Sequence, residues 1–313
     1  MTGQTLAIGP YGDQERAALM SELGAVHLPG PEGLDRLAPE NRAALRAVAY
    51  KGHAPFGAAE MDRLPGLGLI ANYGVGYDAI DVHAARARGI RVTNTPDVLN
   101  DDVADLAVGM LLAQARGLVA ADRFVRSGDW AAGRDFPLQR KASGARAGIL
   151  GLGRIGREIA DRLAAFKMEI HYHSRSEKET PGWIFHAEPV SLARAVDFLV
   201  VALVGGPETA GYVSAEVIEA LGPDGVLVNI SRGSCVDEAA LLDALETGRI
   251  GGAALDVFVN EPRIDGRFLG LGTVVLQPHQ GSATHATRAA MARLQRDNIV
   301  AFLAGRDPLT PVA

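Results

Sequence analysis

Apolar residues in this chain fall in short runs separated by stretches with helical spacing. Thr5–Ile8 reads as a first strand and Ala17–Leu23 as a helix. Ala44–Tyr50, Gly68–Ala71 and Arg91–Thr93 read as further strands. Turn signals punctuate them at Pro29-Gly30-Pro31, Pro65-Gly66 and Gly74-Val75-Gly76. The pattern then changes. Asn100-Asp101-Asp102 can cap a helix and set negative charge at its positive end. The proline-free stretch Val103–Ala121 predicts one long helix, buried on several sides. From Ala147 the alternation resumes, with strands predicted at Ala147–Leu150, Glu169–His173, Phe198–Leu203, Gly225–Ile230, Gly252–Asp256 and Thr273–Leu276. A helix is predicted at Arg157–Phe166, and a last amphipathic one at Ala283–Ala304, stopped by Gly305. Strands alternating with helices at this spacing imply βαβ units, parallel sheets and a doubly wound α/β fold.

At 313 residues the chain suggests two domains, taking about 150 residues for each. Its 31 basic and 37 acidic residues give a net charge of −6, which argues against a nucleic-acid partner. Cys235 is the sole cysteine, so an intrachain disulfide and a multi-cysteine zinc site are excluded, and a reducing cytoplasm is expected. Beside a candidate catalytic loop it invites a redox role, but a small buried filler is the simpler expectation. Met1–Pro10 does not read as a secretory leader. No apolar run reaches the ~18 residues of a membrane span, so no membrane partner is expected; no metal is expected either.

Gly151-Leu152-Gly153-Arg154-Ile155-Gly156 has the G-x-G-x-x-G spacing between a predicted strand and a predicted helix. The first glycine permits a tight turn, the second lets a pyrophosphate approach the backbone, and the third lets helix and strand pack closely. A helix N-terminus there favours phosphate. Sites for NAD usually place Asp or Glu about 20 residues on, against the ribose 2′-hydroxyl. This chain has Tyr172-His173-Ser174-Arg175-Ser176 instead. An arginine between two serines suits a 2′-phosphate, so NADP(H) is expected over NAD(H), with NADH weaker.

Three polar residues follow successive predicted strands: Arg232, Glu261 and His279. Parallel sheets bind ligands at that edge. Together they form an acid–base set for reducing a 2-keto acid. A protonated His279 would give a proton to the keto oxygen, and a carboxylate on its far ring nitrogen would orient it and favour the imidazolium form. Arg232 would bind the substrate carboxylate and polarise the carbonyl.

At these motifs the chain resembles the D-isomer-specific 2-hydroxyacid dehydrogenases, and among them the NADPH-preferring glyoxylate/hydroxypyruvate and hydroxyphenylpyruvate reductases. The resemblance also covers Asn72–Asp78, Asn94–Leu99, Asp102–Ala107, Ser231–Gly233, Val236–Glu238 and Leu255–Phe258. It implies two doubly wound parallel-sheet domains. A Rossmann NADP-binding domain at 98–284 is inserted into a flavodoxin-like substrate domain, 1–97 with 285–313. It implies catalytic Arg232, Glu261 and His279, and a substrate carboxylate held by Arg232 and the backbone amides of Gly74, Val75 and Gly76. It implies cofactor contacts at Gly151, Gly153, Arg154, Ile155, Gly156, Ser174, Arg175, Ser176, Thr209, Ile230, Asp256 and Gly281. Asp256 would stand near the nicotinamide amide, although it also suits a plain turn cap. Members are typically homodimers, built partly on the helix after residue 100. Two departures are Asn100, where threonine is frequent, and Gln280, where a small apolar residue is expected.

The function expected is NADPH-dependent reduction of glyoxylate or hydroxypyruvate. The alternatives are bulkier aromatic keto acids, whose pocket Trp130 and Trp183 could line although a core or dimer role is the simpler expectation for each, and a non-enzymatic, dinucleotide-sensing corepressor-like protein.

Overall fold

The computed structural model describes residues 3–312. Met1, Thr2 and Ala313, the outer ends of the expected substrate domain, lie outside the described residues. The chain begins β1 (Thr5–Ile8), α1 (Asp13–Leu23), β2 (Val26–Leu28), α2 (Pro39–Ala44), β3 (Ala47–Tyr50), α3 (Ala58–Asp62), β4 (Leu69–Asn72), α4 (Val82–Ala87) and β5 (Arg91–Thr93). It continues α5 (Asn100–Ala115), α6 (Leu118–Arg126), β6 (Arg146–Leu150), α7 (Arg154–Ala165), β7 (Glu169–His173), β8 (Ile184–His186), α8 (Pro189–Ala195) and β9 (Phe198–Val201). It ends α9 (Ala215–Leu221), β10 (Val226–Asn229), α10 (Glu238–Glu246), β11 (Gly252–Leu255), β12 (Val274–Leu276) and α11 (His285–Leu303).

The chain divides into two compact units, Met1–Leu99 with Thr284–Ala313, and Asn100–Ala283. In the first, five strands pair in parallel in the order β2-β1-β3-β4-β5. Helices cover both faces, so β1, β3 and β4 are buried along their whole length and read as unbroken apolar runs rather than alternating ones. Helix α11 packs on β3 and β4. Its buried Gln295 donates to the carbonyls of Tyr50 and Ala71 and pairs with the Tyr11 hydroxyl.

The second unit holds a parallel seven-stranded sheet, β12-β11-β10-β9-β6-β7-β8. Chain direction across the sheet reverses between β6 and β9, the switch point at which such sheets bind ligands. Helix α7 buries Gly156, Ile159, Ala160 and Leu163, one stripe at helical spacing. It packs against α5, and Arg162 locks the pair by reaching Asp101 at 2.7 Å and Asp105 at 2.6 Å.

The doubly wound α/β architecture agrees with the sequence pattern. Two details differ. The long helix predicted over Val103–Ala121 is two helices meeting at 60°, because Gly117 adopts a left-handed conformation at φ 58° between them. Asn100, Asp101 and Asp102 form the first turn of α5 rather than its cap. Strands β2 and β8 escape the apolar pattern because each is a short edge strand, partly exposed and carrying a histidine. Among the described residues no single helix is long and apolar enough to cross a membrane; α5 and α6 together pass on length and composition only, and much of α5 is core.

Candidate active site

The glycine loop follows β6 at the switch point and ends in the first turn of α7. Two of its glycines answer to the protein's own packing. A Cβ on Gly151, at φ 103°, would lie 2.7 Å from the Ala202 carbonyl oxygen after β9. A Cβ on Gly156 would lie 2.1 Å from the Gly151 carbonyl oxygen. Gly153 is different: it caps α7, is exposed, and a Cβ there would meet nothing within 4 Å. The fold leaves room over Gly153, and the start of α7 directs its first N–H groups and its positive dipole end there. That surface fits a pyrophosphate. Arg154 is exposed and Ile155 half-buried beside it.

Beyond β7, Arg175 and Ser176 are exposed and Ser174 is half-buried. The Ser174 hydroxyl donates to the Ser176 carbonyl at 2.6 Å, so it shapes the loop as well as facing it. Thr209 lies in a short 3-10 turn after β9 and donates its hydroxyl to the Val204 carbonyl at 2.6 Å. Ile230 is buried at the end of β10.

The acid–base set stands beyond three adjacent strands, β10, β11 and β12. Nδ1 of His279 lies 2.7 Å from Oε2 of Glu261, and Oε1 of Glu261 accepts the backbone N–H of Phe258 at 2.9 Å. Both side chains are partly exposed, at 33% and 24%, so the imidazole is held on one side and reachable on the other. His279 has a left-handed backbone at φ 55°, unusual for a residue with a side chain.

Asp256 holds that turn. It is buried, and its carboxylate accepts the N–H of Gln280 at 2.6 Å and of Gly281 at 2.9 Å, while its carbonyl accepts the N–H of His279 at 2.9 Å. Burial pushes the Asp256 carboxyl above its usual range, and the two N–H donors work against that rise. Of the two expectations for Asp256, the turn cap is the one its hydrogen bonds display. Gly281 packs closely, with a Cβ position 3.3 Å from both the Asp256 carboxylate and Val103.

Arg232 donates from its guanidinium to the Ser231 carbonyl at 2.8 Å. Three residues to which the motif reading gave no role position it. Buried Asn229 donates to the Arg232 carbonyl at 3.0 Å and accepts the Ser231 N–H at 3.0 Å. Gly205 leaves space for the arginine stem, which a Cβ would meet at 2.6 Å. Gly233 lies against Phe258 backbone, 2.0 Å from where its Cβ would fall. An asparagine ending an apolar strand was the available signal, since its amide mimics a backbone turn.

The same device recurs in the first unit. Asn72 ends β4 and donates to the carbonyls of Gly74 at 3.2 Å and Gly76 at 2.8 Å, and Asn94 donates to Val75 at 2.9 Å. The Gly74 N–H donates to Thr95 Oγ1 at 3.0 Å. Gly74 therefore supplies the bend, at φ 138°. Among the described residues the N–H groups of Val75 and Gly76 have no partner, which leaves both available to an acceptor.

Neither tryptophan is core: Trp130 is 68% exposed, and Trp183 lies under Arg157 at 5.6 Å. Cys235 is fully buried in the second unit's apolar core.

Residues 108–281 match the model of the D-isomer specific 2-hydroxyacid dehydrogenase NAD binding domain. The chain is 48% identical to hydroxyphenylpyruvate reductase of Plectranthus scutellarioides, covering 86% of this chain and 85% of that one. It is 47% identical to a glyoxylate/hydroxypyruvate reductase of Arabidopsis thaliana, covering 87% of each. Among solved structures it is similar to the NADPH-dependent glyoxylate/hydroxypyruvate reductase of Sinorhizobium meliloti in complex with NADP and malonate. The TM-score is 0.94 at 41% identity, over 100% of this chain and 97% of that one. The parallel sheets, the glycine loop at the switch point and these matches place the chain in one class: it belongs to the D-isomer specific 2-hydroxyacid dehydrogenase family.

Proposed function

We propose that the chain is an NADPH-dependent reductase of small 2-keto acids, glyoxylate and hydroxypyruvate foremost, converting them to 2-hydroxy acids. The observation that carries this reading is the 2.7 Å His279–Glu261 pair on the sheet that bears the glycine loop. A bound reduced nicotinamide supplies the hydride. Gly151–Gly156 and the start of α7 would hold its pyrophosphate, and Ser174, Arg175 and Ser176 the 2′-phosphate, with Thr209, Ile230, Asp256 and Gly281 along its length. Thus the unit 100–283 is the cofactor domain and the other unit the substrate domain.

His279 delivers the proton to the keto oxygen from the ring nitrogen opposite Glu261. Glu261 fixes the ring and stabilises the positive charge the ring carries before transfer. Arg232 binds the substrate carboxylate and steadies the charge developing on the carbonyl. The Val75 and Gly76 amides are two neutral donors of the kind that suits a carboxylate. The relatives' names favour this reading over the corepressor-like alternative, since they are reductases. The aromatic alternative has a named relative as well, in hydroxyphenylpyruvate reductase.

Absorbance-followed oxidation of NADPH, and then of NADH, across glyoxylate, hydroxypyruvate and hydroxyphenylpyruvate tests the proposal. We expect the highest kcat/KM with the two small acids and NADPH. A preference for the aromatic acid selects the alternative substrate, and no turnover with any of them overturns the enzyme reading.

We also propose a homodimer in a reducing cytoplasm. Helix α6 and the segment after it expose Leu118, Val119, Val125, Trp130 and Leu138 beside a cleft of about 1350 Å³ that contains none of the candidate site residues. An apolar surface of that kind suits a second copy of the chain. Sedimentation equilibrium at micromolar concentration should return twice the 32.9 kDa chain mass; a monomer there rejects the proposal.

A further inference from the structure

The loop after β7 carries Arg175 and Lys178, but also Glu177 and Glu179, so its formal charges cancel. A loosely held loop of that composition gives a phosphate no net attraction. Its cations count only if the backbone is fixed so that they, and not the carboxylates, face the ligand. Tyr172 fixes it. This residue of β7 is 1% exposed, and its ring packs 5.5 Å from Phe185. A phenylalanine would fill the same space. The hydroxyl contributes something a phenylalanine lacks, because it accepts the N–H of Lys178 at 2.9 Å and donates to the carbonyl of Lys178 at 3.1 Å.

Both polar groups of one loop peptide position are thereby tied to a single buried atom. Arg157 of α7 holds the next carbonyl, Glu179, at 2.8 Å. With Lys178 held there, its ammonium lies 3.3 Å from the hydroxyl of Ser176, the residue that follows Arg175 in the chain. We propose that Tyr172 is a positioning residue for cofactor choice. Its hydroxyl fixes residues 174–178 in the shape that presents Lys178, together with Arg175, to the 2′-phosphate. This rests on the NADPH reading above. Pre-ordering of this kind raises affinity by lowering the ordering cost of binding.

The experiment measures kcat and KM for NADPH and NADH in Tyr172→Phe, Lys178→Met, Arg175→Ala and the Tyr172→Phe/Arg175→Ala double variant. Tyr172→Phe should raise the NADPH KM about tenfold, the scale of one or two lost hydrogen bonds, with kcat and the NADH KM within about twofold. Lys178→Met, an exposed change that spares the core, should raise the NADPH KM severalfold with the same selectivity. In the double variant the two effects should be less than additive, because Tyr172 acts partly through Arg175. Equal changes for both cofactors in Tyr172→Phe, or in Lys178→Met if the first variant does not fold, overturn the proposal. If Arg175→Ala itself affects NADPH and NADH equally, the NADPH reading falls instead. A selective Arg175→Ala with an indifferent Tyr172→Phe rejects the positioning role alone.

Discussion

The two sides of the switch point build their turns from different materials. After β6 the turn is backbone against backbone, with Gly151 under the Ala202 carbonyl and Gly156 under the Gly151 carbonyl. After β10 and β12 the following turns are held by buried or half-buried polar side chains: Asn229 around Arg232, and Asp256 and Glu261 around His279. The first side is sensitive to added volume and indifferent to charge. The second tolerates shape-preserving changes but depends on which atom donates and which accepts. The difference suits their roles, since a phosphate is bound by close approach of peptide groups, whereas proton transfer needs a side chain held at a fixed angle.

The largest test of that contrast is His279→Gln. It should lower kcat about 100- to 10,000-fold while the dissociation constant for NADPH, read by nicotinamide fluorescence, stays within about threefold. Unchanged turnover would remove His279 as the proton donor. Next come paired changes in the glycine loop. Gly156→Ala forces a Cβ into the Gly151 carbonyl and should cost about 3 kcal/mol in denaturant unfolding. Gly153→Ala should cost less than about 0.5 kcal/mol, yet weaken NADPH binding about tenfold, because only the ligand needs that space. Equal stability losses at both positions would erase the distinction between a fold glycine and a ligand glycine.

Asp256→Asn keeps the volume but turns one acceptor into a donor facing the N–H of Gln280 or Gly281. We expect a loss of about 2 kcal/mol in stability and a fall in kcat greater than the fall in NADPH affinity. If kcat is untouched, the turn does not need that carboxylate. The smallest effect concerns His186, whose pKa is lowered by burial first and then by the neighbouring His171 and His173. Folding favours its neutral form, so its contribution is intact above its ordinary value of about 6.5 and is lost as pH falls through the lower folded-state value. His186→Gln should flatten the acid limb of the Tm–pH profile below about pH 6.5; an unchanged limb assigns that loss to other groups.

The strands of both sheets were legible in the sequence wherever helices cover both faces, because burial on two sides writes a continuous apolar run. The edge strands β2 and β8 were not, and neither was the break at Gly117, which looks like any glycine in an apolar stretch. Arg232, Glu261 and His279 were visible as polar residues at successive strand ends. Their supports were harder to see. Asp256 was readable as a turn cap, but Asn229 acts through hydrogen bonds to backbone and Gly205 through the room it leaves the Arg232 stem, which only the folded turns create, and nothing local separates the used Gly74 amide from the unused ones at Val75 and Gly76.

Helix α11, with Gln295 stitched to strands from the start of the chain, bears on how the protein is made. On the ribosome, the first five strands emerge early, but the helix that packs over two of them is synthesised only after the whole of residues 100–283. The insert 100–283, by contrast, emerges as one uninterrupted stretch. Translation therefore favours completing the middle of the gene product before its beginning, and a nascent chain stalled before Gln295 would expose the unfinished early sheet to chaperones.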